Sequence, residues 1–162
     1  VVWGPMRIEY FQLIDRITDL NLTELTIRAE AKVPTASTIF EGHFPGYPLM
    51  PGVLLIESMA QASGWLIIGQ TRFEKMPFLA ADKDAKLRTF VTPAQQLSVS
   101  AKLAHEGSGF AVTEAEIEAD GKVVCSGTIR FRVMAFPNPA FRVSMAEVAA
   151  RIKAAMEALA DG

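Results

Sequence analysis

One long apolar segment restricts the folds open to this chain more than any other feature of its sequence. Val53 to Gly69 reads VLLIESMAQASGWLIIG, with Glu57 and Gln61 near its middle. A membrane span needs about 20 apolar residues and a central carboxyl group is costly to insert, so we expect an interior helix and no membrane span. A helix that is apolar on nearly every side must be covered all round. The sequence therefore predicts an α+β fold: an antiparallel sheet of four or more strands wraps around this helix, and a second copy of the chain or other helices complete the cover.

Alternation of apolar and polar residues predicts where the strands of that sheet lie. Period-two alternation predicts strands at residues 25–33, 97–103, 111–119 and 123–133, with a shorter candidate at 86–92. Asp120 and Gly121 have the character of a two-residue hairpin turn between the last two strands. Residues 7–20 mix helical and extended signals and stay unassigned, whereas residues 34–52, rich in Pro and Gly, predict mostly loop.

The C-terminal part of the chain predicts a separate packing element. Ser144 and Glu147 have the spacing of a capping box, which predicts that a final helix starts there. Its apolar stripe recurs at three- and four-residue steps and comprises Met145, Val148, Ile152, Met156 and Leu159. We therefore expect one domain over residues 6–135 and a helical extension over 136–162, with residues 1–5 as a cloning remnant before a start at Met6.

Charge and cysteine content argue against several classes of function. Lys and Arg number 16 and Asp and Glu 18, a formal net charge of −2, which does not fit a nucleic-acid-binding protein. One cysteine and two histidines cannot form an internal disulfide or a zinc finger. The sequence has no glycine-rich phosphate loop and no G-x-S-x-G elbow, which argues against nucleotide chemistry and serine hydrolysis. With no charged leader before an apolar run, we expect a cytoplasmic protein that binds neither nucleic acid nor metal.

Three residues around the start of the apolar helix have the chemistry of an acid/base site. His43 lies in a loop stiffened by three prolines, which can hold its ring in a fixed position. Glu57 has apolar neighbours, which disfavour its ionised form and raise its pKa. Pro51 suits a first helical turn, and the N–H groups of that turn, beside Gly52, are free to donate to a carbonyl oxygen. Together these are the parts needed to remove a proton alpha to a carbonyl group and expel a beta leaving group.

Each titratable candidate also has a structural interpretation. His43 can be an ordinary loop histidine, and Glu57 a buried carboxyl satisfied by hydrogen bonds. His105 lies in the turn AHEGSG, so we expect its side chain to be solvated. Cys125 lies in the inward register of its strand, so we expect it to fill space in the core rather than to act as a nucleophile. A row of three acidic residues predicts a solvated strand face rather than a metal site: Glu114, Glu116 and Glu118.

The residues around the candidate site resemble the signature of a known family. The run GHFPGYPLMPGVLLIESMAQ, residues 42–61, is similar to the motif of the bacterial 3-hydroxyacyl-[acyl-carrier-protein] dehydratases, which have the hotdog fold. Weaker similarity extends from about Tyr10 to Val133. The resemblance thus covers some three quarters of the chain, and its most specific part includes the histidine, three prolines, the glutamate and the glutamine.

The resemblance implies a role for each residue of the candidate site. It implies that His43 is the base on the C2 proton and that Glu57 is the acid on the departing C3 hydroxyl. It also implies that Gly52 donates its backbone N–H to the thioester carbonyl and that Gln61 orients the Glu57 carboxyl. The family uses no metal or redox cofactor, because the substrate is carried on the phosphopantetheine of an acyl carrier protein. The remaining candidates for substrate contact or for the acyl tunnel are Phe44, Pro45, Gly46, Leu54, Ile56 and Met59.

The resemblance also implies an assembly and a protein partner. In the family the histidine of one subunit meets the glutamate of the other, so we expect a homodimer or a trimer of dimers. The acyl carrier protein is acidic, so a protein with a net charge of −2 needs a local basic patch to bind it. The candidates are Lys83, Lys86, Arg88, Arg130 and Arg132, which are otherwise ordinary outward-facing strand residues.

Two departures from the family pattern bear on assembly and substrate length. Pro93-Ala94-Gln95 stands where the family often has P-G-D, and the extension from about Phe136 is longer than usual. Parts of the chain, with this tail, are also similar to dehydratases for very-long-chain or lipid A acyl groups. The leading hypothesis is reversible dehydration of (3R)-3-hydroxyacyl carrier-protein thioesters to trans-2-enoyl thioesters in fatty acid or lipid A biosynthesis. A hotdog acyl thioesterase and a non-catalytic acyl-binding partner subunit remain as alternatives.

Overall fold

A six-stranded antiparallel sheet wraps around the apolar helix in the computed structural model, which describes residues 6–160, with side chains described for residues 6–151. The strands lie in the order β1-β2-β4-β5-β6-β3. Their bounds are β1 Arg16–Asn21, β2 Thr26–Lys32, β3 Lys75–Leu87, β4 Gln96–Gly107, β5 Phe110–Ala119 and β6 Lys122–Ala135. The helices are α1 Thr38–Gly42, α2 Gly52–Gln70 and α3 Pro139–Ala160, preceded by a 3₁₀ turn at Ile8–Tyr10. The predicted α+β hotdog architecture is confirmed.

Helix α2 is the apolar segment identified in the sequence, and the concave face of the sheet covers it. Met59 and Leu66 are fully buried, and the helix packs against every strand from β2 to β6. The Thr113 hydroxyl donates a hydrogen bond of 2.7 Å to Ser63 Oγ, which satisfies a polar pair between sheet and helix. By length and composition α2 is apolar enough to cross a membrane, with a mean hydropathy of 1.3, but more than half of its most apolar stretch is buried inside the protein. This burial is typical of a core helix.

The register of the sheet places alternate residues against α2. In the central strands Ala29 lies opposite Val99, and Ile117 lies opposite Cys125, all four with no exposed surface. The Cys125 thiol is therefore part of the core, as the sequence predicts, and burial raises its pKa to about 11. The three acidic residues of β5 project from the other face, where Glu114 is exposed and its two neighbours are half-buried: Glu116 and Glu118.

The predicted strand at 86–92 is wrong, because β3 begins eleven residues earlier, at Lys75, and ends at Leu87. This strand lies at the edge of the sheet and pairs with β6 alone. Its register shifts twice, between Leu79 and Ala81 and again between Lys83 and Lys86. Bulges of this kind break the period-two pattern, and an edge strand without a buried face has no alternation to detect.

Strand β4 is longer than predicted, which moves His105 out of a turn. The strand continues to Gly107, and the turn consists of Ser108 and Gly109, both with positive φ. His105 lies opposite Val112 in the ladder and is exposed, so the interpretation of a solvated side chain holds although its position in the fold differs.

Both flanking helices differ from the sequence-based expectation. Residues 34–52 are mostly loop, as the sequence predicts, but they include the short helix α1, which Ser37 caps by accepting a hydrogen bond of 3.1 Å from the Ile39 N–H. Helix α3 starts at Pro139 rather than at Ser144. Asn138 caps it through an accepted bond of 2.8 Å from the Phe141 N–H, and proline suits the first helical position. The predicted capping box is therefore wrong. Of the predicted apolar stripe, Met145 and Val148 pack against the core. The remaining residues of the stripe lie outside the described side chains: Ile152, Met156 and Leu159.

Candidate active site

The backbone around His43 is held in a closed loop. The His43 carbonyl accepts a hydrogen bond of 2.9 Å from the Leu49 N–H, which joins the two ends of the loop. Between them Phe44 and Tyr47 exchange backbone hydrogen bonds of 2.9 and 2.8 Å. Gly46 has a φ of 74°, a conformation that favours glycine, so this tight turn depends on the Phe-Pro-Gly sequence. The loop positions His43 by backbone bonds.

The imidazole of His43 is oriented with one nitrogen available. Its Nδ1 lies 3.0 Å from the Leu49 carbonyl oxygen. Because a carbonyl oxygen only accepts, Nδ1 carries the proton and Nε2 of the neutral ring is left as an acceptor. The ring also stacks on Phe44, with centroids 4.1 Å apart. The half-buried ring of His43 is thus held in one orientation, with Nε2 in a position to act as a base.

Gly52 shares a cavity with His43. The cavity has a volume of about 590 Å³ and is bordered by Leu55 of α2 and by the end of β3, including Leu87. Gly52 begins α2, so its N–H has no acceptor four residues earlier and lies at the positive end of the helix dipole. A Cβ atom at this position would meet the end of the Leu87 side chain, so any larger residue here requires Leu87 to move.

Glu57 is held by Gln61, one helical turn further along α2. The Gln61 side chain donates to Glu57 Oε1 at 3.3 Å and to the Phe11 carbonyl at 2.7 Å, while its own oxygen accepts from the Leu13 N–H at 3.0 Å. Burial raises the pKa of Glu57, and the bond from Gln61 lowers it by a smaller amount. The carboxyl group is thus fixed in orientation and biased towards its protonated form.

Glu57 opens onto a second cavity, on a different side of α2 from Gly52. Five residues of helix rotate a side chain by about 140°, so Glu57 and Gly52 diverge. The second cavity, about 450 Å³, runs along α2 past Gln61 and is lined mainly by apolar side chains, among them Ala60, Trp65, Ile68, Pro77 and Phe131. In the described part of the chain, His43 lines the first cavity and Glu57 the second, so one copy does not bring the two groups together.

The other residues proposed from the sequence are distributed differently. Pro45 and Gly46 lie exposed at the tip of the loop. Met59 is fully buried in the core, and Leu54 and Ile56 are half-buried against it. Among the described residues neither of the two cavities includes these three. The basic candidates are exposed around the end of β3 and on the paired part of β6: Lys83, Lys86, Arg88, Arg130 and Arg132.

Sequence reasoning missed most of the residues that line the second cavity. Helical periodicity counted from Glu57 gives Gly64 and Ile68 at seven and eleven residues, so this part was detectable. No local signal pointed to Arg7 and Tyr10, or to Met145 of the C-terminal helix, because these positions are brought to the cavity by tertiary packing. Among the described residues, no group of three His, Cys, Asp or Glu side chains is arranged to hold a metal ion.

A family profile for FabA-like domains matches residues 6–128 of this chain. The chain belongs to the FabA-like domain family. The profile match confirms the family resemblance seen in the motif at residues 42–61. The 3-hydroxyacyl-[acyl-carrier-protein] dehydratase FabZ of Lactococcus lactis subsp. lactis (strain IL1403) is 40% identical over 122 residues, which are 75% of this chain and 83% of that protein.

Solved structures share the fold of this FabA-like chain. The dehydratase heterocomplex ApeI:P from Xenorhabdus doucetiae matches with a TM-score of 0.59 and 18% identity, over 83% of this chain and 89% of that chain. A hypothetical thioesterase from Streptococcus pneumoniae TIGR4, solved with coenzyme A, matches with a TM-score of 0.58 and 15% identity, over 76% of this chain and 88% of that chain. At these identities the likeness concerns the fold alone.

Proposed function

We propose that this protein catalyses the reversible dehydration of (3R)-3-hydroxyacyl-[acyl-carrier-protein] thioesters to trans-2-enoyl thioesters in fatty acid biosynthesis. Relatives named 3-hydroxyacyl-[acyl-carrier-protein] dehydratase are 38–40% identical over three quarters of the chain. One observation carries the assignment: the Leu49 carbonyl orients the His43 ring so that Nε2 is the nitrogen left without a protein partner, and burial raises the pKa of Glu57. A neutral base and a protonated acid at the same pH are what a β-elimination requires.

The reaction follows from these two groups and one backbone donor. His43 Nε2 removes the C2 proton, and the electron pair of the C2–H bond forms the C2–C3 double bond as the C3–O bond breaks. Glu57 gives its proton to the departing hydroxyl, which leaves as water. The Gly52 N–H donates to the thioester oxygen, where negative charge develops. The proton then passes from His43 back to Glu57 through solvent, and hydration of the enoyl thioester uses the same groups in reverse.

The proposal includes a site shared between two subunits. Pro77 and Leu79, near the start of β3, border the cavity that contains Glu57, whereas Leu87, at the end of β3, borders the cavity that contains His43. If two β3 edges meet antiparallel around a twofold axis, the start of one strand lies beside the end of the other. Glu57 of one copy then faces His43 of the other.

The edge of β3 has the surface that such a dimer would bury. An edge strand with an unpaired ladder and exposed apolar side chains is a template for pairing with another chain. The apolar side chains on this strand and just after it are exposed by 36–69% in a single copy: Phe78, Leu79, Leu87 and Phe90.

The basic residues at the end of β3 suit an acidic carrier protein. Arg88 borders the cavity of His43, and Lys86 lies two residues before it on the same edge. A phosphopantetheine arm that enters beside Arg88 would bring its thioester to Gly52 and His43. Arg130 and Arg132 of β6 are also exposed, but they pair with Ala81 and Phe78 in the first half of β3 and therefore form a second basic candidate, away from Arg88. With a carrier protein as partner, we place the reaction in the cytoplasm.

The catalytic assignment is tested by hydration of a trans-2-enoyl thioester, followed as loss of its ultraviolet absorbance. We expect His43→Ala and Glu57→Gln each to lower kcat by about 10²–10⁴-fold without unfolding the protein. His105→Ala and Glu114→Gln make the same chemical changes at exposed positions and should leave the rate unchanged. Release of free thiol by the wild type would favour a thioesterase, and binding without turnover would favour a non-catalytic acyl-binding subunit.

The shared site is tested separately by mixing two inactive variants. His43→Ala and Glu57→Gln are coexpressed with different tags, so that mixed dimers form. A site shared between subunits gives each mixed dimer one complete site of two, and random pairing makes half of the dimers mixed, so about a quarter of wild-type activity should return. Sites built within one chain would give no recovery.

A further inference from the structure

The C-terminal helix α3 forms part of the wall of the cavity that contains Glu57. Met145, Val148 and Arg151, at three-residue steps along one side of α3, line this cavity together with Trp65 of α2. Met145 and Val148 are half-buried and pack against the core. The family profile ends at residue 128, so this wall is supplied by a part of the chain that the family match does not include.

The cavity has the form of a channel that leads away from the carboxyl group. Its lining on α2 runs from Glu57 through Gly64 to Ile68, eleven residues further on. At 1.5 Å per residue this is about 16 Å, a length comparable to an extended acyl chain of roughly a dozen carbons. Glu57 and Gln61 lie at one end of the lining on α2, whereas Trp65 and Ile68 make the other end apolar. This polarity suits an acyl thioester whose C3 hydroxyl meets Glu57 and whose hydrocarbon tail follows α2.

An aromatic cluster fixes α3 at the remote end of this channel. Phe136 stacks on Phe73, just beyond the end of α2, with centroids 6.4 Å apart, and Phe141 meets Phe136 edge-on at 5.9 Å. The guanidinium of Arg142 donates a hydrogen bond of 2.9 Å to the Phe73 carbonyl. Met145 follows Arg142 by one helical turn, about 5 Å, and therefore lies towards the Ile68 end of the channel.

We propose that α3 closes the acyl channel and that Met145 and Val148 determine the length of acyl chain the enzyme accepts. This inference rests on the proposed dehydratase function and adds its specificity determinants. Met145 lies at the remote end, so its side chain limits how far a tail extends past Ile68. Val148, one turn further along α3, forms the side of the same channel. A short acyl group bound at Glu57 ends before it reaches either residue.

The test compares kcat/KM for trans-2-dodecenoyl and trans-2-butenoyl pantetheine thioesters in the full chain. Met145→Trp fills the remote end and should lower the long-to-short ratio by about tenfold or more, in the range that pocket contacts of this size produce. Met145→Ala, which opens the channel, should raise the same ratio. Val143→Trp is the matched control, because Val143 lies on the same helix, is 58% exposed and does not line the cavity, so its ratio should equal that of the wild type.

Two readouts separate failure of this inference from failure of the proposed function. An active Met145→Trp variant whose ratio equals that of the wild type overturns the role of α3 and leaves the dehydratase assignment intact. A wild type inactive on both thioesters overturns the dehydratase function. Binding then tests the channel directly, since the longer thioester should raise the Tm of the wild type more than that of Met145→Trp. Equal shifts in the two proteins overturn the channel as well.

Discussion

Replacement of Gln61 by leucine tests whether this residue positions the catalytic carboxyl. The substitution keeps the approximate size of the side chain and removes its bonds to Glu57, Phe11 and Leu13. Leu13 is fully buried, so its N–H is left without a partner, which costs about 1–3 kcal/mol, whereas the Phe11 carbonyl belongs to an exposed residue and can be hydrated. We expect a loss of about 2 kcal/mol in the free energy of unfolding, or about 4–8 °C in Tm for a domain of this size.

The activity of Gln61→Leu reports on one of these three bonds, the one from Gln61 to the Glu57 carboxyl. Without it the Glu57 carboxyl is free to rotate, and kcat should fall by about 10–100-fold. The bond also lowers the pKa of Glu57, so its removal raises that pKa further above the ordinary value. In the proposed mechanism dehydration requires protonated Glu57, so the rate should fall as the pH rises through the pKa of this carboxyl group. The alkaline limb of the kcat profile should therefore move to higher pH in the variant.

The assay is dehydration of a 3-hydroxyacyl thioester, followed as the gain of enoyl absorbance across a pH series, together with thermal unfolding. Gln70→Leu is the matched control on the same helix, because it removes only an exposed bond of 3.0 Å to Glu106 and a buried Oε1 that has no partner among the described residues. Its effect on stability should stay within about 0.5 kcal/mol. If Gln61→Leu keeps the wild-type kcat and pH profile, the positioning role is refuted, whatever happens to Tm.

Three further predictions concern groups other than Gln61 and Glu57. Burial raises the pKa of Asp15 from 3.8 to about 7, so its stabilising contribution is present below about pH 4 and lost as the pH rises through 7. Asp15→Asn should therefore make Tm less sensitive to pH between about 4 and 7. Gly52→Ala should lower kcat/KM by up to about tenfold without unfolding the protein, because the added methyl group must displace the flexible Leu87 side chain, which borders the cavity of His43. Gly42→Ala, with open space at its Cβ position, should be tolerated. The Cys125 thiol, with its pKa raised to about 11 by burial, should resist alkylation until denaturant is added, and labelling of the native protein would contradict this.

The sequence predicts the parts of this fold that have one buried face. Strands β2, β4, β5 and β6 show clear apolar periodicity, because each presents a regular face to the core. Helix α2 is detectable for a different reason: it is a long apolar run that the sheet must cover. Strand β3 lies at the sheet edge, is bulged and is exposed from Phe78 onwards, so it carries no such pattern. The start of α3 at Pro139 was missed because Ser144 and Glu147 satisfy a capping pattern inside the helix, where it has no structural effect.

The candidate site was predictable as a set of residues but not as an arrangement. The chemistry of His43 and Glu57 follows from their types and neighbours, and the bond from Gln61 to Glu57 follows from their four-residue spacing on a helix. The backbone groups that hold Gln61 come from residues 11 and 13, about 50 positions away, and no local pattern connects them. The division of the site into two cavities likewise depends on which side of α2 each strand covers.

The placement of His43 and Glu57 in separate cavities has a consequence for how activity depends on protein concentration. In the shared site that we propose, a single folded copy holds a base and an acid in different cavities, so folding alone would not produce an active enzyme. Catalysis by a shared site begins only at the second-order step in which two copies associate. Specific activity would therefore fall on dilution below the dimer dissociation constant, while the core around α2, which each copy builds by itself, stays intact.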